Sequence, residues 1–189
     1  MNQNSKKLFT TNKWTLYFLR VLFVLLILLT IIPWVAPMTQ VGAFLFGMYG
    51  VPHFATQNFD LVVVHFTPFT RLLGFIGSII SVLPLFISTL ILMRLSKNYS
   101  KGVVFNLYNT KSYRKLGILY LLSALLLQPL SQVFFSLCAT LNNPTGQRTI
   151  SITFDVSNLT AICFAIILIM MGKVMKWGQQ LSEEQELTV

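Results

Sequence analysis

Few side chains in this chain are equipped for covalent chemistry. Among 189 residues there are five carboxylates, two histidines and two cysteines. His53, Asp60 and His65 share one stretch and are of metal-binding type. Their spacing matches no tight ligand pattern, and a histidine in a β-branched run reads as a surface side chain. Asp155, close to Arg148 in sequence, suits an ion pair or a helix cap. Cys138 and Cys163 lie near the ends of apolar runs. A disulfide framework would use more cysteines, set in polar loops, so these read as lipid- or helix-facing thiols with no bond demanded between them. HExxH, CxxC, phosphate-loop and nucleophile-elbow patterns are missing. The expectation is a protein that is no enzyme, with no cofactor and no metal.

Polar groups inside apolar runs carry the next signal, because each costs free energy there and needs a reason. Gln128 and Gln132 are one helical turn apart, with Ser131 between them and Ser136 one turn beyond. Sharing a face, they suit hydrogen bonds to a neighbouring helix, and less readily a ligand pocket. Pro84 and Pro129 each remove a backbone donor and should kink a helix, freeing carbonyls near Ile80 and Leu125. Gly74 with Ser78, and Gly77 with Ser81, are small pairs that permit close helix approach within the chain or in a homodimer.

The elements that must hold these groups follow from composition. The chain is 54% hydrophobic and only 10% charged, whereas a soluble domain carries about a quarter charged residues. Too little charge remains to clothe a surface in water, so lipid is the implied solvent. Apolar runs predict an all-α membrane protein with four spans at about 16–33, 72–93, 116–139 and 159–175. The second, fenced by Arg71 and Arg94, is about 33 Å long at the helical rise, close to one hydrocarbon thickness. Val41 to Val51 is too short to cross and reads as an interfacial or loop segment. The first run is long for a signal peptide and reads as a retained helix.

Charge sets the orientation. With the N-terminus inside, twelve of the fourteen Lys and Arg residues lie on inside segments, leaving only Arg71 and Arg148 outside. Carrying cationic segments across against the membrane potential is unfavourable. The expected place is a bacterial cytoplasmic membrane with both termini cytoplasmic. The net charge of +9 is explained by these flanks, and no basic face studded with aromatic residues accompanies it, so direct nucleic-acid binding is not expected.

Two outer segments show strand-like patterning: residues 60–66, rich in β-branched and aromatic side chains, and 149–154, which alternate polar and apolar. Period-two alternation predicts that they pair as a small two-stranded β element over the helix ends. The inside loop from Arg94 to Lys115 carries Arg94, Lys97, Lys101, Lys111, Arg114 and Lys115 with no acid, interleaved with Phe105 and other apolar residues. Such a loop suits the anionic inner leaflet, or a docking surface for a soluble partner. Asn109 or Thr110 is expected to cap the third helix. The tail from Gly178 holds three of the five acids.

Loop and tail together support a resemblance. Lys101-Gly102-Val103-Val104-Phe105, then Asn109, then Arg114-Lys115-Leu116-Gly117, resemble the bacterial membrane family catalogued as domain of unknown function 2975. The ending with Leu181, Glu183-Glu184 and Glu186-Leu187-Thr188-Val189 is similar to that family's acidic C-terminus. The resemblance implies four spans and, as a partner, a small cytoplasmic helix-turn-helix regulator; it carries over no catalytic residue. The function expected is an interaction or sensor protein, with small-molecule or lipid binding and transport as the alternative.

Overall fold

A computed structural model describes residues 3–35, 67–146, 148–154 and 156–187, with the side chains of all but 3–12, 33, 182 and 185–187. Helix α1 is Gln3–Val35, α2 is Pro68–Ser100 and α4 is Val156–Leu187. Between the last two, α3 runs as Leu107–Leu122, a π-helical turn at Ser123–Leu127, and Gln128–Thr140. Each contains a stretch long and apolar enough to cross a membrane: Lys13–Ile32, Pro68–Ser100, Leu107–Thr140 and Val156–Leu181. The four spans read from the sequence all fall inside these helices.

Local chemistry explains where the helices begin and end. Pro68 takes the first helical position of α2, where a missing N–H costs nothing. Thr67 stands before it as the cap, and its N–H donates to Thr70 Oγ1 at 2.9 Å while Thr70 N–H reaches Thr67 Oγ1 at 3.4 Å. This reciprocal pair is a capping box built from two threonines. At the other end Gly102, at φ +76°, turns left-handed. Val103 N–H closes on the Asn98 carbonyl at 3.1 Å and Gly102 N–H on that of Tyr99 at 3.0 Å, which is a Schellman stop.

The kink expected at Pro129 takes the form of the π turn. Proline removes the donor that the Leu125 carbonyl would use, and its ring crowds the preceding turn. Widening the helix over Ser123–Leu127 relieves both. Pro84, by contrast, lies within a continuous α2.

The β element is corrected. No strand occurs among the described residues. Residues 60–66, like the 41–51 segment and His53, Asp60 and His65, lie outside the described residues. Residues 149–154 have the expected alternation, but the partner that holds them is a helix. Gln132, Ser136 and Thr140, each one turn apart on α3, bond the backbone of Thr153, Ser151 and Thr149 in turn. A polar stripe on a helix replaces the second strand.

The chain divides into two compact units. One comprises Met1–Val24, Pro84–Leu122 and Ser157–Val189, the other Leu25–Leu83 and Ser123–Val156. Two of the four divisions fall at Pro84 in α2 and at the π turn in α3. In the first, the basic unit, Phe23 meets Phe86 edge-on at 5.4 Å and Thr15 bonds Ser96 at 3.1 Å. Gly117 lets α4 approach so closely that a Cβ there would overlap Ile169 and the Ala165 carbonyl. In the second, the strap unit, Trp34 donates to the buried Ser78 Oγ at 2.8 Å, and its ring fills the space a Cβ on Gly74 would need. Gly77 abuts Phe134 and Phe135. The small pairs of α2 are thus used within the chain. Buried residues are largely Ser, Thr, Ala, Asn and Cys, while most large apolar side chains point outward, as expected where the surroundings are lipid and helices associate through small residues.

Candidate functional site

The richest cluster of predicted residues is the hairpin joining α2 to α3 in the basic unit. Its bracing centres on Asn109, which is fully buried. Asn109 Nδ2 donates to the Val103 and Val104 carbonyls, both at 2.9 Å, and Oδ1 accepts from Asn98 Nδ2 at 2.8 Å. Both amide protons and one oxygen lone pair are thereby used, and two loop carbonyls that no helix could pair are satisfied. Tyr99 and Tyr113 join their hydroxyls at 2.8 Å across the same two helices. Ser112, also buried, returns its hydroxyl to the Tyr108 carbonyl at 2.8 Å.

The helix cap differs from expectation. Neither Asn109 nor Thr110 caps α3; Asn106 does, its Oδ1 accepting from Tyr108 N–H at 3.2 Å. Thr110, inside the first turn, bonds back to the Asn106 carbonyl at 3.2 Å. The cap falls one turn earlier because Asn109 is withdrawn into the core of the hairpin.

Around this core the surface is two-natured. Arg94, Lys97, Lys101, Lys111, Arg114 and Lys115 are all exposed. Between them Val103, Val104, Phe105, Leu107 and Tyr108 expose large apolar area. The Phe105 ring lies against Gly178 of α4, so close that a Cβ there would overlap it. On α4 itself Trp177 and Leu181 are exposed beyond Lys173 and Lys176. Apolar patches rimmed by charge on a rigid frame are what interaction surfaces present.

The second cluster, Gln128, Ser131 and Gln132, lies in the strap unit and does not act as one group. Gln132 forms a two-way amide pair with the strap: Thr153 N–H donates to Oε1 at 2.7 Å, and Nε2 donates to the Thr153 carbonyl at 3.0 Å. Buried Ser131 returns its hydroxyl to the Gln128 carbonyl at 2.8 Å. Gln128 Oε1 is buried with no hydrogen-bond partner. Arg148, itself exposed, donates through Nε to the Asn143 carbonyl at 3.0 Å; Asp155 lies outside the described residues. Cys138 is buried, Cys163 is exposed, and both are free thiols.

Sequence reasoning missed Asn98, Asn106, Thr140 and the Trp34–Ser78 bond. Asn98 and Asn106 had one available signal: side-chain amides at both margins of a basic loop between apolar runs. Trp34 closes an apolar run opposite a glycine-serine helix, which also points to close packing.

Four apolar helices with a braced basic hairpin define a multi-pass membrane protein. The chain belongs to the family described as Protein of unknown function (DUF2975), whose model matches residues 8–189. No curated protein and no solved structure matches it.

Proposed function

We propose that this protein is a non-enzymatic interaction or sensor protein of the bacterial cytoplasmic membrane, with both termini and the basic hairpin inside, coupled to a cytoplasmic helix-turn-helix regulator. The observation that carries the reading is the Asn98–Asn109 brace: it holds Val103 and Val104 in fixed positions while leaving their side chains exposed. A surface ordered before binding loses less entropy when a partner arrives. The exposed lysines and arginines around it attract an acidic partner, and favour the anionic inner leaflet at roughly 1 kcal/mol per charge. The regulator as partner rests on the family resemblance.

The test is photocrosslinking from Val104 and Phe105 in native membranes, with Ile150 as the control site. A discrete adduct containing a helix-turn-helix protein, formed from the hairpin sites only, is the expected result. Adducts with lipid alone at both hairpin sites overturn the partner.

Ligand binding or transport near the glutamines has one supporting observation, the unpartnered Gln128 Oε1. Gln132 is already engaged by the chain itself, which leaves that reading second.

A further inference from the structure

Residues 149–154 run extended beside α3, tied along one edge. Thr153 takes the Gln132 amide pair, Ser151 N–H reaches Ser136 Oγ at 3.3 Å, and Thr149 N–H reaches Thr140 Oγ1 at 3.4 Å. Each hydroxyl has a single proton. Its shorter contact is to its own helix, at 2.8 Å from Ser136 to the Gln132 carbonyl and from Thr140 to the Ser136 carbonyl. The strap carbonyls of Ser151 and Thr149 therefore share those protons at 3.3 and 3.1 Å. The Gln132 rung is the strongest of the set.

Alternation then separates the side chains. In an extended chain successive residues point to opposite faces, so Ile150, Ile152 and Phe154 share one. They are 62%, 52% and 64% exposed. No charged residue occurs between Thr149 and Phe154, although charge is the usual means of keeping such an edge in water. Something apolar is the fitting neighbour for that face.

Depth identifies it. Trp34, whose N–H bonds Ser78 and whose ring packs on Gly74, is the residue type that settles at membrane–water boundaries. Between those two contacts on α2, Gly77 touches Phe134 and Phe135 of α3. Those two residues lie between the rungs at Gln132 and Ser136. Thr140 stands about 12 Å from Gln132 along the helix axis. The strap accordingly begins on the water side of the Trp34 level and ends within one helical turn beyond it.

We propose that residues 149–154 are an interfacial strap, with Ile150, Ile152 and Phe154 seated between headgroups and acyl chains of the outer leaflet. This rests on the inside placement of the termini proposed above. At that depth water still reaches the backbone edge facing away from α3, while the apolar face contacts lipid. Residues 149–154 are thus a membrane-surface element, fastened from within by a transmembrane helix.

Single cysteines at Thr145, Ile150 and Ile152, in the full-length protein carrying Cys163→Ser, test this; Cys138 is buried and stays. Intact cells are treated with a membrane-impermeant maleimide, and bimane-labelled protein in liposomes is quenched by iodide or by shallow spin-labelled lipid. Thr145→Cys should label rapidly and be quenched by iodide. Ile150→Cys and Ile152→Cys should label roughly tenfold more slowly, as partial burial of an apolar side chain predicts, and be quenched by the lipid probe. Equal labelling and iodide quenching at all three sites overturns the proposal, as does disulfide-linked dimer at Ile152→Cys, which would make a second copy the neighbour. Labelling of Thr145→Cys only in inverted vesicles would instead refute the orientation, while lipid quenching at Ile152→Cys would still report the strap.

Discussion

The Asn98 side chain donates to Asn109 Oδ1 at 2.8 Å, joining the last turn of α2 to the first turn of α3. Because Asn109 also holds the carbonyls of Val103 and Val104, one buried side chain fixes both stems and the tip of the hairpin. The order of the basic surface depends on it.

Replacing Asn109 by Ala should therefore cost about 1–3 kcal/mol, the penalty for leaving buried polar partners unpaired. The check is the thermal midpoint in detergent together with the rate of trypsin cleavage at Lys101. Cleavage should accelerate, whereas Thr110→Ala should change it little.

The two glutamines of α3 should behave oppositely. Gln132→Leu removes both bonds to Thr153 and should destabilise by about 1–3 kcal/mol. Gln128→Leu removes a buried oxygen that has no partner, so its effect should be neutral or stabilising by up to about 1 kcal/mol. Unfolding in graded denaturing detergent distinguishes them, and a larger loss from Gln128→Leu would contradict the pairing.

Gly74→Ala should displace the Trp34 indole and break its bond to Ser78, at a cost of about 1–3 kcal/mol from overpacking. Trp34 fluorescence, with Trp14 and Trp177 replaced by Phe, should shift accordingly. Gly178→Ala meets only the ring of the exposed Phe105, which can swing aside, so its effect should stay within about 0.5 kcal/mol.

Reporter fusions ending at Gly102 and at Thr145 should report opposite sides of the membrane, the former cytoplasmic. The lopsided distribution of lysine and arginine makes this a test of charge as the orienting force. Fusions reporting one side would remove the topological basis of the proposed function.

The spans were legible because hydrocarbon imposes length and composition together, and Arg71 and Arg94 fence the 72–93 span visibly. The start of α2 is less so: the Thr67-Pro68 pair and Thr70 spell a capped helix, yet the β-branched run before them points toward a strand. The alternation of 149–154 points to a strand in a two-stranded element, yet no strand forms there. Its ties run to a helix, and Gln132, Ser136 and Thr140 at intervals of four look, in sequence, like helix packing. Asn109 lies on the expected element but braces the hairpin instead of capping the helix. Its burial depends on the left-handed turn at Gly102, which brings the loop carbonyls back over it, and that folding is three-dimensional.

The strap and α3 behave as two rulers with unequal graduations. Four residues of the helix advance about 6.0 Å, whereas two residues of extended chain advance about 6.6 Å. Starting in step at Thr140, the two scales are out by about 1.2 Å at Gln132, where the longest side chain of the series spans the slip. The next graduation is Gln128, and its oxygen bonds nothing. A vernier of this kind limits its own length: lengthening the extended segment would bow it away from the helix instead of adding another tie.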